Sequence, residues 1–175
     1  MTNIPVIETE RLRLRAHTLG DFEVLAATWA DPAVVRHIGA PSTRTDSWSR
    51  LLRYRGHWAL MGFGLWAIEE KQTGRYLGDL GLAEFQRDIQ PSFEGTPEAG
   101  WAFATAAGGK GYATEALRTA LQWADANLSA PKTCCIITPE NLASVRVAEK
   151  CGFRKVREAI HGDHPVGVFE RLRNA

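Results

Sequence analysis

Few of the features that would assign this chain quickly are present. Cysteine occurs three times, as Cys134, Cys135 and Cys151. The first two are neighbours in a segment that reads as a strand, where successive side chains face opposite sides, so a disulfide between them is awkward. No base stands at a familiar spacing from any of the three, which favours small core filler over a thiol nucleophile. Neither sign of charge dominates: 21 basic and 20 acidic side chains leave a formal net charge of +1. That balance argues against nucleic acid or a membrane surface as a dedicated partner. No apolar run approaches the roughly 18 residues of a membrane span. The start, Met1-Thr2-Asn3-Ile4-Pro5, lacks the basic-then-apolar pattern of a signal peptide, and the expected location is cytoplasmic. His161 and His164 flank a turn, but without cysteine or a carboxylate cluster they make a poor metal site. A solvated turn is the reading, and no metal is expected. Repeats, linkers and low-complexity segments are also missing, so residues 1–175 read as one domain.

The periodicity that is present alternates between strand and helix. Arg11 to Arg15 alternates polar and apolar, as a half-buried strand does. Leu19 to Ala30 reads as a helix with Leu19, Phe22, Leu25, Ala26 and Trp29 inward. A short helical piece follows Asp31-Pro32. An amphipathic helix then runs from about Asp46 to Met61, with Trp48, Leu51, Leu52 and Ala59 inward. Strands follow at Leu65–Glu69, Tyr76–Phe85 and, after a polar loop from Gln86 to Pro97, at Glu98–Ala104. A helix carries the stripe Ala113, Ala116, Leu117, Ala120, Leu121, Ala124 and Leu128. Lys132–Ile137 is a strand, and Asn141 caps a helix that ends near Cys151 with Gly152 as its terminator. Phe153–Ala159 and Val166–Leu172 close the chain as an antiparallel pair. The fold class is therefore α/β (α+β): a mixed sheet of about seven strands with helices on both faces.

The most informative segment is Ala106-Ala107-Gly108-Gly109-Lys110-Gly111-Tyr112-Ala113, between a strand and a helix. The first N–H groups of a helix have no partner within it, and glycines let a ligand approach the backbone closely. The helix dipole adds roughly 0.3–1 kcal/mol for an anion. Together these make an anion site with no need for a dedicated cationic side chain. A Walker-type loop fails, because Lys110 is followed by Gly111 and Ala104 stands where the first glycine should be. A dinucleotide fingerprint fails at Thr114, and also by lying past the middle of the chain. A glycine-rich turn without a ligand is the remaining alternative.

These residues resemble the GNAT superfamily of acetyl-coenzyme A-dependent N-acetyltransferases, most closely the branch that includes the ribosomal-protein N-terminal acetyltransferases. Three pieces carry the resemblance in combination: Gly109-Lys110-Gly111-Tyr112-Ala113-Thr114-Glu115-Ala116, Asn141-Leu142-Ala143-Ser144 and Glu149-Lys150-Cys151-Gly152-Phe153. The resemblance implies a sheet splayed between Glu98–Ala104 and Lys132–Ile137, with the pantetheine arm of coenzyme A against the first of these strands, at Phe103 and Ala104. It implies a pyrophosphate on the turn Gly108, Gly109, Lys110, Gly111, Tyr112 and Ala113. Asn141 would bond the pantetheine and Ser144 would lie near the sulfur. The family's usual glutamine or arginine three residues before the first glycine of Gly-x-Gly is Ala106 here, which removes one side-chain contact to phosphate.

Acyl transfer to an amine needs a neutral nucleophile, a stabilised oxyanion and a leaving thiolate that can be protonated. Glu98 is the first candidate for the base, acting directly or through water, and Glu84 the second; each could instead be a solvated strand-end carboxylate. The oxyanion donor is expected to be a backbone N–H of the 99–104 strand. Many members of the family place a tyrosine near the thiolate. Tyr54, Tyr76 and Tyr112 all lie outside the closing helix, which leaves Ser144 as the hydroxyl. Acetyl-CoA is the expected co-substrate and a small-molecule or peptide amine the acceptor. A non-catalytic coenzyme A sensor of the same fold is the competing reading. Oligomeric state is left open, a homodimer included.

Overall fold

The computed structural model describes residues 3–174. Met1 and Thr2, read above as part of the chain start, lie outside them, as does Ala175. Two short strands come first, β1 (Ile7–Glu8) and β2 (Leu12–Arg15). Alternation in β2 puts Leu12 and Leu14 wholly inside, while Arg13 and Arg15 reach Glu69 at 3.0 and 2.7 Å. A 3-10 turn at Leu19–Asp21 leads into α1 (Phe22–Ala30), whose inner face is Leu25, Ala26, Thr28 and Trp29. Leu19, expected to open that stripe, is 70% exposed. The tighter 3-10 winding turns it out of phase with the helix that follows.

After α2 (Pro32–Val35), Thr43 and Asp46 form a capping box that starts α3 (Arg44–Met61), and Gly62 ends it with a φ of 76°. The buried row of α3 is Ser47, Leu51, Tyr54 and Trp58. Trp48, Leu52 and Ala59 were expected inward, but all three are exposed. They occupy the row one residue on, about 100° around the helix. Burying Tyr54 and Trp58 sets the phase.

The rest follows as β3 (Leu65–Glu70), β4 (Tyr76–Ala83), β5 (Glu98–Phe103), α4 (Tyr112–Asn127), β6 (Lys132–Ile137), α5 (Leu142–Lys150), β7 (Arg154–His161) and β8 (His164–Leu172). They make one eight-stranded sheet in the order β1-β2-β3-β4-β5-β6-β8-β7. The strand beyond the expected seven is β1, too short at two residues to show a period.

The central strands are buried on both faces, so they read as apolar runs with little alternation. On one face Trp66, Ile68, Leu80 and Leu82 pack with Leu117 and Leu121 of α4. On the other, Leu65, Ala67 and Ala83 pack with Leu25, Trp29, Leu51 and Tyr54. On that second face Asp79 is fully buried and accepts from His17 Nε2 at 2.6 Å, Trp29 Nε1 at 2.8 Å and the Tyr76 hydroxyl. Cys134, Cys135 and Cys151 are free and buried, and burial pushes the Cys134 thiol up to about 12. Among the described residues, no helix is long and apolar enough to cross a membrane.

Candidate active site

The strand order places one parallel pair, β5 and β6, in an otherwise antiparallel sheet, and that pair barely forms. Its one register contact is Glu98 with Cys134, backed by the Cys134 N–H donating to Pro97 O at 3.1 Å. Beyond it the two strands diverge. Ala104 N–H donates to Leu77 O at 2.8 Å. Antiparallel alternation therefore turns the backbone groups of Phe103, Trp101 and Ala99 away from β4; those of Ala99 meet β6 at the Glu98–Cys134 bridge, and those of Trp101 and Phe103 face the gap. Ala104 itself is used within the chain, since its carbonyl accepts from Ala107 N–H at 2.8 Å.

The glycine-rich turn lies between β5 and α4. Gly109 and Gly111 have φ of 73° and 78°, the left-handed region that glycine enters without strain. Among the described residues, no backbone N–H from Gly109 to Thr114 donates to a chain carbonyl. Arg11, from the β1–β2 connection, braces the turn: Nη1 donates to Lys110 O at 2.9 Å, the guanidinium pairs with Glu115 at 2.6 Å, and it lies 4.6 Å above the Tyr112 ring. The Tyr112 hydroxyl donates to Glu70 at 2.5 Å.

Across the gap, Asn141 Oδ1 accepts from the Ser144 N–H at 3.2 Å and caps α5. That leaves the Asn141 amide nitrogen for a ligand. Trp101 Nε1 donates to Ser144 Oγ at 3.2 Å, so a β5 indole touches α5. The serine accepts there and keeps its own proton to give. Tyr54 and Tyr76 belong to the buried face around Asp79, away from this serine.

At the mouth of the gap sits Glu98, 4% exposed. Burial raises its pKa, against the pull of Arg87, whose Nε and Nη2 hold the two carboxylate oxygens at 2.7 and 2.9 Å. Glu84 is nearby and more open. Its oxygens accept from Gln86 Nε2 at 3.0 Å and Gly95 N–H at 3.2 Å, tying the two limbs of the 86–97 loop. Its own N–H donates to His57 Nε2 at 2.9 Å, so His57 carries its proton on Nδ1, toward Phe63 O. Glu84 and Glu98 line one small cavity with Phe85 and Phe93, of about 20 Å³, room for one water.

His161, read as a solvated turn residue, does something else. Its Nε2 accepts from Arg87 Nη1 at 3.0 Å. The β7–β8 turn is only Gly162-Asp163, tight enough to bring the strand end to the loop. Among the described residues, no group of three metal-ligating side chains gathers. Arg87, His161, Trp101 and Arg11 are the site residues that sequence reasoning missed. Arg87 lies in an irregular loop with no period to read, and its partners are 11 and 74 residues away. Trp101 carried a signal, standing on the strand already assigned to the gap.

Comparison with known proteins agrees with this geometry. The family model described as an acetyltransferase (GNAT) domain matches residues 11–154. Protein YkkB of Bacillus subtilis is 30% identical over 164 residues, covering 93% of this chain and 93% of that protein. The crystal structure of an acetyltransferase from Agrobacterium tumefaciens is 28% identical, with a TM-score of 0.84 over 96% of this chain and 94% of that one. More distant structures share the fold. The spermidine N-acetyltransferase of Vibrio cholerae, in complex with CoA and spermine, is 20% identical with a TM-score of 0.74 over 94% of this chain and 97% of that one. The ribosomal-protein-S5-alanine acetyltransferase of Vibrio fischeri is 16% identical with a TM-score of 0.79 over 98% of each chain. An interrupted parallel pair, a glycine turn with free N–H groups and a match over most of the length lead to one conclusion: the chain belongs to the GNAT family of acetyltransferases.

Proposed function

We propose that the chain transfers an acetyl group from acetyl-CoA to a primary amine, by direct attack of the amine in a ternary complex. The observation that carries this reading is Glu98, a buried carboxylate at the point where β5 leaves β6. Its environment raises its pKa, which makes it a better proton acceptor than a solvated glutamate. Glu84 lines the same small cavity and stands second.

The chain's groups fit coenzyme A. The free N–H groups from Gly109 to Ala113 suit a pyrophosphate, the β5 edge at Phe103 suits the pantetheine amides, and Asn141 offers its amide nitrogen. When bound, the coenzyme supplies an acyl group activated as a thioester. Glu98 takes the proton of the incoming ammonium. Ser144 keeps an O–H donor in the gap, backed by the N-terminus of α5. A β5 N–H donor, at Trp101, faces the gap where negative charge develops.

The acceptor is a peptide N-terminus, as in the ribosomal-protein branch of the family, or a small amine. Three free thiols agree with a reducing, cytoplasmic setting. The test is thiol release from acetyl-CoA with an alanyl tripeptide, spermidine and phenethylamine, and acetylated products read by mass. Turnover with one of them, lost in Glu98→Gln, supports the reading. Coenzyme A binding with no turnover on any amine refutes it.

A further inference from the structure

Glu98 is buried, and among the described residues Arg87 is the one cation that pairs with it. The guanidinium is held on three sides by three different parts of the fold. Glu98 of β5 takes Nε and Nη2, His161 at the end of β7 takes Nη1, and the Phe85 ring lies 4.6 Å from the guanidinium carbon. Arginine has only donors, so His161 Nε2 must be an acceptor and its proton sits on Nδ1. Burial, then the charge of Arg87, lowers the His161 pKa, which keeps that acceptor neutral near pH 7. A second cross-tie holds the same loop to β7: Arg157 donates to Gln90 O and Pro91 O at 3.1 and 2.9 Å and lies over Phe93. A bidentate clamp uses two of roughly four lone-pair positions on the carboxylate, which leaves sites for a substrate proton.

We propose that Arg87 is a positioning residue for the acyl transfer: its guanidinium, fixed on the far side by His161, holds the Glu98 carboxylate in place and in its anionic form. The inference rests on the reading of Glu98 as the base. Its logic is a balance. Without Arg87, burial acts on the Glu98 carboxyl unopposed and pushes its pKa further up, toward the neutral acid. With it, the paired charge and two hydrogen bonds pull the pKa back toward the anion while leaving the group more basic than a solvated glutamate. Among the described residues, the other titratable groups around Glu98 are Glu84 at the end of β4 and Glu94 of the 86–97 loop, which line the same cavity, Cys134 of β6, whose thiol burial holds protonated, with Glu170 and Lys132 beside it, and His161 and His164 of the hairpin.

The test uses the full chain with Arg87→Gln, Arg87→Lys and His161→Phe. Two readouts are needed. The first is the pH profile of kcat/KM with the amine that is turned over. The second is the titration of the Glu98 side-chain carboxyl by carbon NMR with labelled glutamate, assigned through Glu98→Gln. In Arg87→Gln the acid limb and the carboxyl titration should both move up by about 1–3 pH units, with activity recovered at high pH. Arg87→Lys should restore most of the shift, and His161→Phe should move it in the same direction by less. A uniform loss of activity with an unmoved carboxyl titration overturns the proposal, in whichever of these variants folds. If the carboxyl titration moves but Glu98→Gln remains fully active, Arg87 does tune Glu98 and it is the base assignment that fails.

Discussion

Gly111 allows a prediction whose size comes from the backbone alone. Its φ of 78° is left-handed, and a Cβ built there meets nothing closer than Arg11 Nη2 at 3.6 Å, an ordinary contact. Crowding therefore contributes little to Gly111→Ala. What remains is the cost of holding an L-residue in the left-handed region, about 1–2 kcal/mol. For a chain of this length that should lower Tm by about 2–8 °C. Asparagine tolerates this conformation better, so Gly111→Asn should lose less than Gly111→Ala. Urea unfolding gives the free energies and a thermal melt gives Tm. Calorimetry on the folded variants gives coenzyme A affinity. Alanine leaves the N–H groups of the turn in place, so affinity should stay within about threefold, a change below 1 kcal/mol. Valine presents a branched side chain on the ligand side, and Gly111→Val should raise KM for acetyl-CoA in a protein that still folds. Equal losses for Ala and Asn, or no loss for Ala, would refute the conformational argument. Unchanged affinity in folded Gly111→Val would remove the turn from the coenzyme site.

Glu98→Gln should cut turnover while coenzyme A affinity holds, and the loss should shrink as pH rises and more amine is neutral by itself; steady-state rates across pH with calorimetry decide this. Ser144→Ala should lower turnover about tenfold to a hundredfold, the value of one hydrogen bond of roughly 1.4–2.7 kcal/mol made only in the transition state. A donor with a more acidic thiol should lose less. Trp101→Phe removes the N–H that meets Ser144 Oγ and should give a smaller fall in kcat than Ser144→Ala, measured in the same assay. Asp125 pairs with buried Arg171 at 2.5 Å, and that guanidinium holds its carboxyl below the usual 3.8. A depressed carboxyl stabilises the fold above its unfolded pKa and loses that contribution as pH falls through the folded value. Asp125→Asn should thus cost about 3 kcal/mol at pH 7, with the gap to the parent protein closing below about pH 4 in urea unfolding.

The elements that sequence made legible are those with a period or a cap. β2, the α4 stripe, the Asn141 cap and the turn at Gly108–Ala113 stand where patterning put them. The α3 face was misread because its tryptophans and leucines populate two adjacent rows, and only tertiary packing chooses between them. The carboxylates at Glu84 and Glu98 could be picked out because they stand near the ends of assigned strands. Arg87 and His161 could not, because nothing local distinguishes a loop arginine that ends in water from one that ends on a buried carboxylate 11 residues later.

The interruption between β5 and β6 also leaves the backbone as two ladders, β1 to β5 and β6-β8-β7, that meet at the single Glu98–Cys134 bridge. Beyond that bridge, what joins them is side-chain work: the shared core under α4, Trp101 on Ser144, Arg87 on His161 and Arg157 on the carbonyls of Gln90 and Pro91. Side-chain links do not slow amide exchange across a gap in the way a continuous ladder does, so deuterium uptake should resolve two blocks of protection with a seam at residue 98. The C-terminal ladder, with the exposed β7 as its outer edge, should open first. A molecule lying in the seam and bonded to both ladders would fuse the blocks, and the rise in protection should then be greatest in the C-terminal ladder, whose opening would release it.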